Sequence, residues 1–361
     1  MKPTDYQLPQ NLSGEALQAA LLEGVSRTFA LTIPQLPNAL RCVVANAYLL
    51  CRIVDTIEDE VSLSVQQKRK YCNAFIAVVR AQEDPQAFSD ALAPLLSEQT
   101  IPAEHELIRR VPEVITLTHG YAPEQIEALA DCVQTMASGM PGFQAQNLAD
   151  GLATQDDMDR YCYYVAGCVG EMLTRLFCHY SSDIAANRAQ MMSLAVSFGQ
   201  GLQMTNILKD IWADQQRGVC WLPQSVFDDT GYKLSDLKPE HDSESFATGL
   251  ARLVSVAYAH LQNALTYTLL IPRAETGIRD FCLWAIGMAV LTLKKIKSQL
   301  FFSDSSQVKI SRTSVRATVF LTRIARLHDA IVRGLFRYTG SGLSICGWEA
   351  QIFKPDPQNF H

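Results

Sequence analysis

Thr154-Gln-Asp156-Asp157-Met-Asp-Arg-Tyr161-Cys-Tyr163-Tyr164-Val-Ala-Gly167-Cys-Val-Gly170-Glu-Met-Leu-Thr-Arg-Leu-Phe177 is the stretch that settles the class of fold. Thr154 is a helix N-cap, because its hydroxyl can take an orphan N–H of the first turn, and Asp156 and Asp157 suit the positive end of the helix dipole. From Tyr161 onward the segment is apolar almost all round, as expected of a central helix rather than a surface one. Gly167 and Gly170 cost up to about 1 kcal/mol each inside a helix, which something packed closely against them must offset. A neighbouring helix and a ligand both fit that role, and Gly199 and Gly201 raise the same question in the next long helix.

Working outward, helical spacing recurs throughout and strand-like alternation is rare. Breaks are expected at Ile33-Pro34-Gln-Leu-Pro37, Met140-Pro141-Gly142, Leu222-Pro223, Ile271-Pro272 and Ser303-Asp-Ser-Ser-Gln307. The expected fold is all-α: a single-domain bundle over residues 1–361 around a central hydrophobic cavity, with its core at about 20–330 and a C-terminal tail at about 331–361.

Two carboxylate clusters sit in this apolar frame. Asp55-Thr-Ile-Glu58-Asp59 puts three acids at i, i+3 and i+4, on one helix face. Asn206-Ile-Leu-Lys209-Asp210-Ile-Trp-Ala-Asp214 forms a second stripe of oxygens. Their flanks, Val43 to Val54 and Phe198 to Thr205, are largely apolar, so the acids are expected to face a recess rather than bulk water. Crowded like charges need a cation, and magnesium takes hard oxygen ligands that substrate phosphates complete. The two clusters therefore read as a magnesium diphosphate clamp. Ser26-Arg27-Thr28-Phe29, Arg52 and Lys209 supply nearby cations, and Tyr161, Tyr163 and Tyr164 offer aromatic walls for a carbocation.

The chain has 361 residues, 48% hydrophobic and 19% charged, with a formal net charge of -6, which makes nucleic acid an unlikely partner. Ten cysteines without CxxC pairs read as reduced core residues of a cytoplasmic protein. Met1-Lys-Pro-Thr-Asp-Tyr6 is too polar for a signal peptide, and no uninterrupted apolar run reaches the roughly 18 residues of a membrane anchor. The C-terminal segments 331–338 and 343–353 are expected to pack as a closing helix with a tail, or else to form an interfacial segment touching a membrane peripherally. Oligomeric state is not legible.

Tyr48-Leu-Leu-Cys-Arg52-Ile-Val-Asp55-Thr-Ile-Glu58-Asp59, the Tyr161–Gly170 segment and Thr205-Asn-Ile-Leu-Lys-Asp210 with Asp214-Gln-Gln resemble the signature segments of the squalene/phytoene synthase family. The resemblance extends through Ser26-Arg-Thr-Phe29, Trp221-Leu-Pro223, Phe281-Cys282, Met288-Ala289 and Val308-Lys309-Ile310, from about residue 20 to 315. It implies the isoprenoid synthase fold and a head-to-head condensation of two farnesyl diphosphates to presqualene diphosphate, followed by NADPH-dependent reductive rearrangement to squalene. Enzymes that stop at presqualene diphosphate, or that form dehydrosqualene or phytoene without reduction, are the near alternatives. A non-catalytic helical member is a remote one, since every acid is present.

By position, the resemblance assigns magnesium to Asp55, Glu58, Asp59, Asp210 and Asp214, and catalytic roles to Tyr161, Phe281 and Arg52. It assigns diphosphate binding to Ser26, Arg27, Tyr48, Arg52, Asn206, Lys209 and Arg217, and NADPH to Arg27, Arg52, Lys209, Lys309 and Arg312. Three positions depart from the family pattern. Lys209 stands where arginine is usual, Arg217 comes two positions early, and Ser311 replaces a usually basic residue. No Gly-x-Gly-x-x-Gly follows a strand, so NADPH would need another cradle.

Overall fold

The computed structural model describes residues 8, 9, 11–144, 148–239, 243–345, 347 and 350–353, with the side chains of Arg27 and Gln144 left undescribed. The stretch Met1–Tyr6, Cys346, Trp348 and the Arg27 side chain, all read above, therefore lie outside it. Among the described residues there is no strand, only one isolated bridge joining Leu152 and Pro223.

The chain divides into two compact units, residues 1–145 with 172–186, and 146–171 with 187–361. In the first unit the helices are α1 (Gly14–Val25), α2 (Arg27–Thr32), α3 (Asn38–Asp59), α4 (Val65–Val79), α5 (Pro85–Leu92), α6 (Pro102–Arg109), α7 (Val111–Thr118) and α8 (Pro123–Gln144). α3 is the core helix of this unit. Leu40, Val43, Leu50, Ile53, Val54 and Ile57 along it are fully buried, as their recurrence at three- and four-residue steps requires. Its one fully buried polar side chain, Asn46, donates to Thr118 Oγ1 at 2.6 Å and accepts from Gln18 Nε2 at 3.1 Å, which ties α1 and α7 to it.

Pro141 does not break α8 where a break was expected. It falls in the last turn and weakens the turn before it without ending the helix, which runs on to Gln144.

In the second unit α9 (Gln155–Cys162) leads through a π turn at Tyr163–Gly167 into α10 (Cys168–Tyr180), whose residues from Met172 onward, with α11 (Ser182–Ala185), belong to the first unit. α12 (Arg188–Gln216), α13 (Gln224–Asp228), α14 (Glu244–Leu270), α15 (Thr276–Ser298), α16 (Ser305–Val308), α17 (Arg312–Ala325) and α18 (Asp329–Thr339) complete it. Thr154 caps α9 as expected, in a full capping box with Asp157.

The glycines answer the question they posed, in favour of a helix neighbour. A Cβ on Gly170 would lie 2.1 Å from the Ala195 carbonyl oxygen, and one on Gly199 would lie 2.0 Å from that of Ala166. The π segment and the start of α10 thus touch α12 backbone to backbone, which only glycine permits. α15 is long and apolar enough to cross a membrane by composition, yet two-thirds of it is buried inside the protein, around Trp284 and Phe281. It is a core helix. After α18, Leu343 is buried, Ile345 N–H donates to Ser255 Oγ, and Phe353 lies 5.3 Å from the Tyr163 ring, so the described part of the tail packs onto this unit.

Candidate active site

α3 ends in Asp55, Glu58 and Asp59, with no basic residue in its last turn. Carboxylates at the negative end of a helix dipole are unfavourable by about 0.3–1 kcal/mol each. Cations from elsewhere offset the cost. Lys68 of α4 donates through Nζ to the Glu58 carbonyl oxygen, satisfying the helix end. Arg52, one turn back, ion-pairs with Glu104 of α6 and lies 3.8 Å from Asp55.

Asp55 is set among protein atoms and yet keeps 27% of its side chain accessible. Burial pushes its pKa up to about 7, Arg52 works against that, and the charges of Asp59 and Glu104 add to it. Asp55 and Glu104 thus gather at Arg52, and Glu58 and Asp59, with Glu60, at Lys68.

The next residue, Glu60, has a different task. Buried, it accepts from Ser62 N–H at 2.8 Å, Ser97 N–H at 2.9 Å and Thr100 Oγ1 at 2.7 Å. Burial alone would raise its pKa, but these bonds outweigh that and hold it at about 2. It staples the loop after α3.

Upstream on the same face lies Tyr48, half-buried, with its ring 4.8 Å from Phe29. Burial raises its pKa, opposed by a hydrogen bond with Ser26 and by Arg52. Ser26 also caps α2 by accepting from Phe29 N–H. Ser26, Tyr48, Arg52, Asp55, Glu58 and Asp59 are therefore brought together. Glu104 is the residue that sequence reasoning missed. It comes from a separate helix, and nothing in Ala103-Glu-His-Glu-Leu marks it out beyond an acid in an apolar face.

The second unit holds the other candidates. On α12, Lys209 Nζ lies 3.1 Å from Asp210 and 3.4 Å from Asn206 Oδ1. Asp214, nearly buried, pairs with Arg217 at the helix C-cap. Here two carboxylates face two cations. The early position of Arg217 places it on Asp214 itself.

Tyr161, 5% exposed, is stacked flat on Trp221, with ring centroids 3.7 Å apart and planes 10° apart. A short backbone clip presents Trp221. Leu152 N–H donates to Leu222 O, Gln224 N–H to Leu152 O and Cys220 N–H to Leu148 O. Gly151, at φ +95°, is required in that clip, since a Cβ there would meet the Leu222 carbonyl at 2.5 Å. Tyr163 takes another direction: its hydroxyl donates to Glu171 at 3.2 Å. Phe281 is buried in α15, while Lys309 and Arg312 are exposed at the turn joining α16 and α17. Trp221 was quoted in sequence without a role, because it is placed by a clip between stretches some seventy residues apart.

Among the described residues no three His, Cys, Asp or Glu side chains enclose an ion by themselves. The donor set is nonetheless hard oxygen on both helices, and the crowding of acids at α3 fits a divalent cation shared with phosphate oxygens.

Residues 22–314 match the family model "Squalene/phytoene synthase", and the chain belongs to that family. A squalene synthase of Gibberella zeae is 30% identical over 75% of this chain and 56% of its own length. One from Cyberlindnera jadinii is 29% identical over 91% of this chain and 72% of its own length. The chain thus spans between about half and three-quarters of these relatives. A solved ligand complex of TcSQS superposes with a TM-score of 0.70 at 21% identity, covering 91% of this chain and 97% of that one. A dehydrosqualene synthase complex gives 0.59 at 19% identity, covering 90% and 96%. The fold is the helical isoprenoid synthase fold.

Proposed function

We propose that this protein is a squalene synthase: a magnesium-dependent farnesyltransferase that joins two farnesyl diphosphates to presqualene diphosphate and reduces that intermediate to squalene with NADPH. The observation that carries the proposal is the crowding of carboxylates at the end of α3, where the charges of Asp59 and Glu104 add to burial in raising the Asp55 pKa, an arrangement suited to magnesium with a diphosphate. Asp55, Glu58, Asp59, Asp210 and Asp214 would hold the metal, which when bound neutralises the departing diphosphate.

The chain's own groups do the rest. Arg52, Tyr48, Ser26 and Arg27 of the first unit, and Asn206, Lys209 and Arg217 of the second, would bind and orient diphosphate. Tyr161, held flat by Trp221, presents an aromatic face and a hydroxyl to the first cation, and Phe281 an aromatic face to the second. Lys309 and Arg312, with Arg27, Arg52 and Lys209, would bind the phosphates of NADPH. A hydrocarbon product belongs in lipid, so the proposal includes a cytoplasmic protein in peripheral contact with a membrane.

Incubation of the purified protein with farnesyl diphosphate and magnesium, with and without NADPH, tests this. Squalene formed only with NADPH is the expected result. One observation favours a second reading, a synthase without reduction. In the Lys309–Arg312 turn Ser311 stands at a usually basic position and the positive charge comes one residue later, at Arg312. Dehydrosqualene in equal yield with and without NADPH would establish it.

A further inference from the structure

α17 is built inside out. Its inward side carries Ser314, Thr318 and Thr322, and Thr318 packs against Gly287 of α15, where a Cβ would lie 2.5 Å from the threonine methyl. Its largest apolar side chains point the other way: Phe320 is 64% exposed and Ile324 60%. With Thr313, Ala317 and Leu321 they lie at i, i+4, i+7, i+8 and i+11, which is one continuous helical face. Leu327 and Ile331 extend the apolar stripe across the turn into α18, 46% and 50% exposed. A soluble surface rarely gathers so much aliphatic and aromatic area in one place without a partner.

The rim of the stripe is cationic in an acidic protein. Between residues 312 and 339 there are six arginines and one acid, Asp329, in a chain of net charge -6. Asp329 is itself engaged by Arg273 and Arg279. Arg316, one turn before Phe320, is exposed, as are Arg333 and Arg337 on α18, and Arg323 lies over the Trp284 ring.

The helix pair is also fastened. Buried Arg279 donates to the Arg326 carbonyl at 2.7 Å and to Asp329 at 2.7 Å, and Arg326 pairs with Asp280 of α15. The stripe therefore faces outward from a fixed support. Beneath it is an apolar recess of about 260 Å³ lined by Leu283, Ile286, Val290, Leu335 and Phe336, and Leu321 lines both the recess and the outer face.

We propose that the outward face of α17 and the start of α18 docks on a bilayer containing anionic lipid. Phe320, Ile324, Leu327 and Ile331 enter the interface, and Arg316, Arg333 and Arg337 pair with lipid phosphates. The charge complementarity selects a lipid surface over an uncharged apolar partner. The membrane contact rests on the proposed function, but vesicle binding is measured without substrate, so its outcome is separate from that of the reaction.

The test is flotation of the full chain with vesicles of phosphatidylcholine alone and of phosphatidylcholine with phosphatidylglycerol. The expected result is flotation with the anionic vesicles, at least about tenfold weaker with the neutral ones and reversed by high salt. Phe320→Ser with Ile324→Ser, and separately Arg316→Glu with Arg333→Glu, should each weaken binding at least about tenfold. Their circular dichroism and melting should be unchanged, because these side chains are exposed. Wild-type protein that stays with neither vesicle, or variants that float as well as wild type, overturn the proposal. So does a concentration-dependent dimer that the Phe320→Ser and Ile324→Ser changes abolish, because a second copy then covers the stripe.

Discussion

The last turn of α3 and the last two turns of α12 both present acids, and the cations beside them come from different places. At α3 Asp55 and Glu104 gather at Arg52, Glu58 and Asp59 at Lys68 of α4, and the helix end itself is negative. At α12 Lys209 lies against Asp210 and Arg217 against Asp214, each cation on the same helix as its acid or at that helix's C-cap. In the proposed enzyme, α3 would govern affinity for magnesium, and the α12 cations would govern affinity for diphosphate.

The most direct way to break this comparison is to neutralise one acid on each helix. Asp55→Asn and Asp210→Asn should each cut turnover about a hundredfold or more, since metal stabilisation is worth several kcal/mol. Only Asp55→Asn should strongly raise the magnesium concentration for half-activity. Equal magnesium shifts in the two variants would show that the difference has no functional weight. Arg217→Gln frees Asp214 and should raise KM for farnesyl diphosphate more than it alters the magnesium requirement.

The two units should also answer acid differently. His260, fully buried on α14 with Nδ1 2.8 Å from Ser197 Oγ, has its pKa lowered by burial to about 4. Because the unfolded histidine binds a proton below about 6.5 and the folded one does not, its share of stability is complete above that pH. It is lost as pH falls from 6.5 through 4, by up to about 3 kcal/mol. Glu60, depressed to about 2, contributes stability that is complete above its ordinary value of 4.5 and lost only below it, as pH falls through 2. Asp55, raised to about 7, works in the opposite sense and gains stability as pH falls from 7, so the test is a difference: urea midpoints between pH 7 and 4 should fall more, or rise less, in wild type than in His260→Gln, while Glu60→Gln should leave the wild-type slope as it is.

A next-smaller effect tests the scaffold of the second stripe. Gly199→Ala drives a methyl into the Ala166 carbonyl and should cost about 1–3 kcal/mol, read as a lowered melting temperature. Smallest is Trp221→Ala. Loss of the flat stack on Tyr161 should reduce turnover about tenfold, with Trp221→Phe recovering most of it. Turnover that does not change would assign the stack to packing alone.

These predictions draw unevenly on sequence. Helical periodicity, the Thr154 cap, the close-packing glycines and both acid stripes were legible, because each follows from local spacing and side-chain chemistry. The magnesium-type pattern at Asp55, Glu58 and Asp59 needed only the i, i+3, i+4 rule. Glu104 was not legible: it reaches Arg52 from another helix, and pairing across the fold leaves no local trace. Nor was the Arg217–Asp214 pair, which depends on how the chain turns out of α12. Amphipathic character was read at 331–338, whereas the stripe begins on α17, where apolar residues look like core until their orientation is known. Pro141 misled because a proline weakens the turn before it without necessarily ending the helix, and α8 continues to Gln144.

The π turn at Tyr163–Gly167 closes its hydrogen bonds over five residues instead of four. It accommodates one residue more than a regular helix would, so everything before it is rotated by about 100° against everything after it. Removing one residue from this segment would restore an ordinary helix at almost no cost to its own backbone. It would also turn Tyr161 away from Trp221, or else turn Gly170 away from Ala195. Point substitutions in this region can be graded in tenths or units of free energy, but its length cannot be: the segment behaves as a reading frame in three dimensions, with a single permitted register.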